Sequence, residues 1–227
     1  MSDSLIRGST DLHITTQGRE ESRLLGQKFA AKGCFWRVYT STQARALETA
    51  HALATACPNV SFMRPSEELT SWPLGAFEGQ PKDKVLPKIQ ELVEKRPWVV
   101  PEGMGPKSTK PGESFLSFKN RVITKMKEIM EVWTEHTSKR ILVVTHFHDI
   151  NAIEAWLAEY SGEPEPDDVD YDHTIYNRDI GYPLEVIWLY KLKNKWNFKR
   201  LPKMLDGVPF LFPGIYLVRH AETPWNL

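Results

Sequence analysis

The sequence predicts an α/β protein built on a mostly parallel sheet, and three observations carry that expectation. Segments with helical periodicity alternate with short strand-like runs along most of the chain. Two runs, RILVVTH at 140–146 and IYLVRHA at 215–221, are almost continuously apolar, as strands covered on both faces are. Alternation of this kind puts helices over the two faces of one sheet.

The elements follow in order. TTQGREESRLLGQKFAAKG reads as a helix with Leu24, Leu25, Phe29 and Ala30 on one face and Gly33 as its stop. WRVYTS at 36–41 is a short strand. TQARALETAHALATAC at 42–57 is rich in helix formers, with Ser41 or Thr42 as candidate N-cap. NVSFMRP reads as another short strand. KDKVLPKIQELVEKRPWVVPEGMGPKSTKPGE begins as a helix and then turns rich in Pro, Gly and Lys, an excursion from the core. ESFLSFKNRVITKMKEIMEVWTEHT carries Phe115, Phe118, Val122, Met126, Ile129 and Val132 as a helical stripe. After the 140–146 strand, DINAIEAWLAEYSG is helical and ends at Gly162. LEVIWLYKL and KWNFKRL flank KNK as a hairpin.

The chain has 227 residues, enough for one large domain, and residues 1–227 are expected to form one, with lid excursions at about 80–111 and 160–182. Lys and Arg total 29, as do Asp and Glu, so the net charge is zero, which argues against a nucleic-acid or membrane-surface binder. Cys34 and Cys57 show no CxxC spacing and read as free thiols of a reducing compartment, without a disulfide framework or a zinc site. No apolar run of membrane-spanning length occurs, and MSDSLIRGSTD has no apolar signal core, so the expected location is cytoplasmic. The acidic stretch EPEPDDVDYD at 163–172 reads as a solvated loop.

In parallel α/β sheets, sites form at the carboxyl ends of the strands. That rule selects Arg219 and His220 after IYLV, the segment from Ser41 to Arg45 after RVYT, and His146 after ILVVT. A pocket made of these would hold two guanidiniums and two imidazoles. Guanidinium forks match the oxygens of a phosphate dianion and stay charged. One neutral imidazole can attack phosphorus, while a second, protonated one stabilises the equatorial oxygens. No metal motif is visible and no cofactor is expected. The chemistry suggested is phosphoryl transfer through a phosphohistidine.

Five motifs then resemble the histidine phosphatase superfamily, the clan of phosphoglycerate mutases and histidine acid phosphatases: LVRHAETPWN, RGSTDLHITTQGREES, VYTSTQARALETAHALA, KPGESFLSFKNRV and LVVTHFHDINAI. The resemblance implies a three-layer sandwich, a mostly parallel central sheet flanked by helices. It implies that His220 is the nucleophile and that Arg219, Arg45 and His146 clamp the phosphoryl oxygens. Thr223 and Asn226 match positions that help hold the phosphoryl group, and Arg7 a polar substrate contact. Motif order departs from the family, whose Arg-His strand comes first. Reading on from Leu227 to Ser2 restores the family spacing, so the sequence reads as circularly permuted.

A second departure concerns the proton donor that a leaving group needs. The mutase-like branch carries a Glu where this chain has Ser71, within LTSWPLGAFEG. Substitutes are Asp149, three residues after His146, and then Glu68, which with Glu67 lies just before the expected position; Glu78 reads as structural. The expected activity is hydrolysis of a phosphomonoester on a phosphorylated small molecule or phosphoprotein, with no nucleic-acid or membrane partner. A mutase-type phosphotransferase and a phosphate-binding module without turnover are the alternatives.

Overall fold

The computed structural model describes residues 5–57, 60, 62–104, 111–160 and 182–224. Among these described residues five α-helices and six strands follow one another: α1 Thr16–Lys32, β1 Arg37–Ser41, α2 Ala44–Ala54, β2 Phe62–Ser66, α3 Lys82–Glu94, α4 Phe115–Thr134, β3 Arg140–Thr145, α5 Phe147–Tyr160, β4 Val186–Leu192, β5 Lys195–Arg200 and β6 Gly214–Arg219. The strands form one sheet in the order β2-β1-β3-β6-β4-β5. Neighbours from β2 to β6 pair in parallel, whereas β4 is antiparallel to both β6 and β5. The fold is thus α/β with a mostly parallel central sheet, as the alternation predicted.

Strand side chains alternate between the two faces, and the core divides accordingly. Ile141, Val143, Ile215, Leu217, Ile187 and Leu189 pack with Phe118, Val122 and Met126 of α4 and with Ile150 and Ile153 of α5. Leu142, Val144, Tyr216, Val218 and Val186 pack on the other face with Leu25 and Phe29 of α1 and with Ala46, Ala50 and Leu53 of α2. Each such fully buried aliphatic side chain contributes roughly 1.5–3 kcal/mol. Strands β3 and β6 are buried along nearly their whole length, which explains their continuous apolar spelling.

Several local details differ from expectation. Leu24 of α1 is 40 % exposed, because Leu25 and Phe29 take the inward positions. Helix α2 begins at Ala44 after Gln43, not after Ser41 or Thr42. Its Ala44 N–H is taken by the Asp11 carboxylate at 2.8 Å, a cap from a distant segment. The other helix starts follow ordinary capping, with Ser114 accepting from Ser117 N–H ahead of α4 and Thr15 from Gly18 N–H ahead of α1. The β4–β5 hairpin turns through Lys193 and Asn194, both at positive φ. The lid segment expected at 160–182 and the end of α5 at Gly162 fall almost wholly outside the described residues. No helix among the described residues is long and apolar enough to cross a membrane.

Candidate active site

Register brings three strand ends together. Thr145 of β3 stands opposite Arg219 of β6, and Thr40 of β1 opposite Val144. The His220 N–H continues the ladder by donating to the Thr145 carbonyl at 3.0 Å. His146 and His220 therefore follow adjacent strands, with ring centroids 5.2 Å apart. Arg45 arrives from the first turn of α2, in the loop after β1. The structure thus gathers Arg219, His220, Arg45 and His146 at the carboxyl ends of the central strands, and all four are buried.

Arg45 is the hub of this cluster. Its Nη1 donates to the Thr10 carbonyl at 2.7 Å, and its Nη2 to Ser71 Oγ at 3.2 Å and Gln43 Oε1 at 3.3 Å. Its Nε donates to His146 Nδ1 at 3.3 Å. Burial pushes the guanidinium down to about 10, still charged at neutral pH. Ser71 also donates to the Gly8 carbonyl at 2.7 Å, and Gln43 accepts from Ser71 N–H at 3.0 Å. The residue at the expected acid position is thereby built into the framework around Arg45. Gln43 was not singled out from sequence; a polar side chain two residues before Arg45 carried no signal of its own.

The two imidazoles are neutral and carry their protons on opposite nitrogens. Burial, then the Arg45 charge, holds His146 well below the ordinary imidazole range. Burial, then Arg45 and Arg219, does the same for His220. His146 Nδ1 accepts from Arg45, so its proton sits on Nε2, which has no hydrogen-bond partner among the described residues. His220 Nδ1 lies 2.7 Å from the Ala221 carbonyl, which accepts only, so Nδ1 carries the proton and Nε2 the lone pair. The pair thus offers one N–H donor and one nitrogen lone pair beside two guanidiniums.

The remaining sequence candidates are distributed unevenly. Arg7 is half-buried, and its charge acts on both Arg45 and His220. Thr223 is fully buried, while Asn226 lies outside the described residues. Asp149 is fully buried behind His146, its Oδ2 accepting from Thr145 Oγ1 at 2.7 Å and from the His146 N–H at 3.2 Å. It reaches back to cap the start of α5. Burial raises its carboxyl to about 7, a value suited to proton exchange, but among the described residues it makes no hydrogen bond to either imidazole ring.

Glu67 and Glu68 part company. The short 3-10 turn Glu67–Leu69 sends Glu67 into a cavity of about 240 Å³ shared with Ser71, Ser9, Asp11, Thr42, Gln43 and Thr70. Glu68 instead lines a larger, separate groove of about 570 Å³ with Trp98, Leu116 and Arg121. Its carboxyl accepts from Ser66 Oγ at 2.5 Å, which holds it below the usual carboxylate range. That direction is opposite to what a proton donor needs, and the placement gives Glu68 no part in the histidine cluster. Glu78 is fully buried and accepts from Ser9 N–H at 2.7 Å, Ser9 Oγ at 2.9 Å and Leu74 N–H at 2.9 Å, the structural use its motif suggested.

Among the described residues no group of His, Cys, Asp or Glu is arranged to hold a metal ion. Sheet and cluster together define a class, an α/β protein whose strand ends gather cationic forks and paired neutral imidazoles. The family model of the histidine phosphatase superfamily (branch 1) matches residues 2–174, and the chain belongs to that superfamily. It is 26% identical over 144 residues to phosphoglycerate mutase-like protein 4 of Arabidopsis thaliana, a match covering 62% of this chain and 58% of that relative. Among solved structures it resembles a phosphoserine phosphatase of Entamoeba histolytica bound to 3-phosphoglyceric acid, at 18% identity and TM-score 0.62 over 89% of this chain and 91% of that one. It also resembles the alpha-ribazole phosphatase of Shigella flexneri, at 18% identity and TM-score 0.60 over 91% and 92%. At these identities the likeness is one of fold.

Proposed function

We propose that the protein is a phosphatase that hydrolyses phosphomonoesters through a phosphohistidine on His220. The observation that carries this reading is the opposed protonation of His220 and His146, a lone pair beside a donor. Arg45 and Arg219 receive the phosphoryl oxygens, and His146 Nε2–H donates to an equatorial oxygen as charge spreads. His220 Nε2 attacks phosphorus in line as the ester oxygen leaves. Water then attacks the phosphohistidine and releases phosphate. Half-buried Arg7 contacts the substrate, and buried Thr223 helps hold the phosphoryl group.

The leaving oxygen takes its proton from Glu67, facing the cavity that contains Ser71, itself bonded to Arg45. Asp149 acts through His146 as a positioning residue, since its oxygens are buried behind the strand. The substrate is a phosphorylated small molecule or phosphoprotein, matched to a cationic pocket. Motif order is proposed to be a circular permutation of the family order. The family match ends at residue 174, so the strand bearing Arg219 lies beyond it, while the Glu222 carbonyl meets Thr15 N–H at 2.9 Å.

Rapid quench with ³²P-labelled substrate tests the reading. The expected result is an acid-labile, alkali-stable label on the His220 peptide, absent in His220→Ala. Turnover of p-nitrophenyl phosphate that persists in His220→Ala overturns it.

A further inference from the structure

The cysteines lie away from the phosphate site. Cys34 follows Gly33, the C-cap of α1, and Cys57 follows the last turn of α2. Helix α2 carries Arg45 in its first turn, so its length, about 16 Å, stands between that guanidinium and Cys57. Cys57 is buried within the cluster of Phe29, Phe35 and Leu53, and Cys34, partly exposed, packs against the same cluster. The Cys34 side chain lies against the Cys57 thiol, and the Phe35 N–H also faces the Cys57 sulfur. The helices that bear them are in close contact, a Cβ at Gly26 falling 2.7 Å from the Leu53 carbonyl oxygen.

We propose that Cys34 and Cys57 form a redox modification site, which a peroxide converts to an intramolecular disulfide. The Cys34 sulfur attacks one peroxide oxygen, the O–O bond breaks, and the departing oxygen leaves as water or alcohol with the thiol proton. Cys34 is then a sulfenic acid. The Cys57 sulfur attacks the Cys34 sulfur, the S–O bond breaks, and hydroxide leaves as water with the Cys57 proton. Each sulfur gives up one electron and the peroxide gains two. The order follows from the surroundings. Cys34 has the access to solvent and meets the peroxide first, whereas Cys57 is buried beside it and is placed for the second, intramolecular step. The bond would staple the carboxyl ends of α1 and α2, restricting the unfolded chain while leaving the phosphate site unchanged.

The experiment is titration of the reduced protein with hydrogen peroxide, followed by non-reducing peptide mapping, thiol counting and thermal melting. The expected result is loss of both thiols together and a single peptide pair joining Cys34 to Cys57. A rise in Tm on the order of 5 °C, reversed by dithiothreitol, should accompany it. Cys34→Ser and Cys57→Ser should each abolish the crosslink and the Tm rise. Any of three results overturns the proposal: both thiols persisting, Cys34 advancing to sulfinic acid with Cys57 still reduced, or Cys34 joining two chains.

Discussion

Arg45 Nε donates to His146 Nδ1 across 3.3 Å, and this contact fixes which nitrogen of His146 carries the proton. The same guanidinium meets Thr10, Gln43 and Ser71, so one side chain holds the loop before α1, the start of α2 and the segment after β2. Arg45→Lys keeps a charge but loses the planar fork and the bond that orients His146. Turnover of p-nitrophenyl phosphate should fall by roughly 10²–10³-fold, the scale of losing an oxyanion donor. A loss of less than about threefold would remove Arg45 from the machinery.

His220 is held neutral by burial and by two guanidiniums, so its lone pair should persist into acid. Protonation of a group with a lowered pKa begins only below that pKa. The acid limb of kcat/KM should therefore fall below the ordinary imidazole value of about 6.5. His220 is the assigned nucleophile, so an acid limb at or above that value contradicts its neutral, cation-flanked environment.

Glu67 and Glu68 give contrasting expectations. An alkyl phosphate needs its leaving oxygen protonated; p-nitrophenolate does not. Glu67→Gln should slow an alkyl phosphate by roughly 10²–10⁴-fold while slowing p-nitrophenyl phosphate far less. Glu68→Gln should leave both rates within about twofold. Equal losses on the two substrates in Glu67→Gln would show that the residue shapes the cavity without donating a proton.

Asp149 links the site to stability. Its carboxyl is raised from 3.8 to about 7 in the folded chain. Between these values the folded form holds a proton that the unfolded form has released. The contribution is fully present below the lower value and is lost as pH rises through the upper one, at a cost on the order of 4 kcal/mol. Asp149→Asn cannot ionise. The decline in denaturation midpoint between about pH 4 and about pH 8 should be smaller in this variant. An identical decline in both proteins would locate the titration elsewhere.

Gly8 tests the loop beside Arg45. It sits at φ +49°, and a Cβ there would lie 2.1 Å from Glu78 Oε1. Gly8→Ala should displace the Glu78 carboxylate from Ser9 and lower stability by roughly 1–3 kcal/mol. Phosphate affinity should drop as well, because the Gly8 carbonyl receives Ser71. Urea denaturation and phosphate titration check the two effects separately.

Much of this arrangement was legible in the sequence for a simple reason. Strands covered on both faces must be apolar throughout, so β3 and β6 announce themselves, and parallel sheets place polar residues at their carboxyl ends. Arg219, His220 and His146 each stand directly after such a run, and Arg45 in the first turn after β1. What stayed hidden depends on direction or on distant partners. Glu67 and Glu68 differ by about one-third of a 3-10 turn, which spacing does not orient toward the site. Asp149 caps α5 from a start that lacks the usual Ser or Thr, so its cap reads like a catalytic HxxD. Asp11 caps α2 from thirty-three positions away, a pairing that no local pattern carries.

The position of β6 governs how the sheet can assemble. Strands β2, β1 and β3 form one ladder and β4 with β5 another, and β6 is the piece that joins them. During synthesis the two part-sheets must wait with apolar edges bare until residues 214–219 have left the ribosome. Pairing of β3 with a strand so far along the chain is an entropically slow closure. A nascent chain halted before that point would expose the sticky borders of β3 and β4 together, making this stretch of translation the interval at which chaperones matter most.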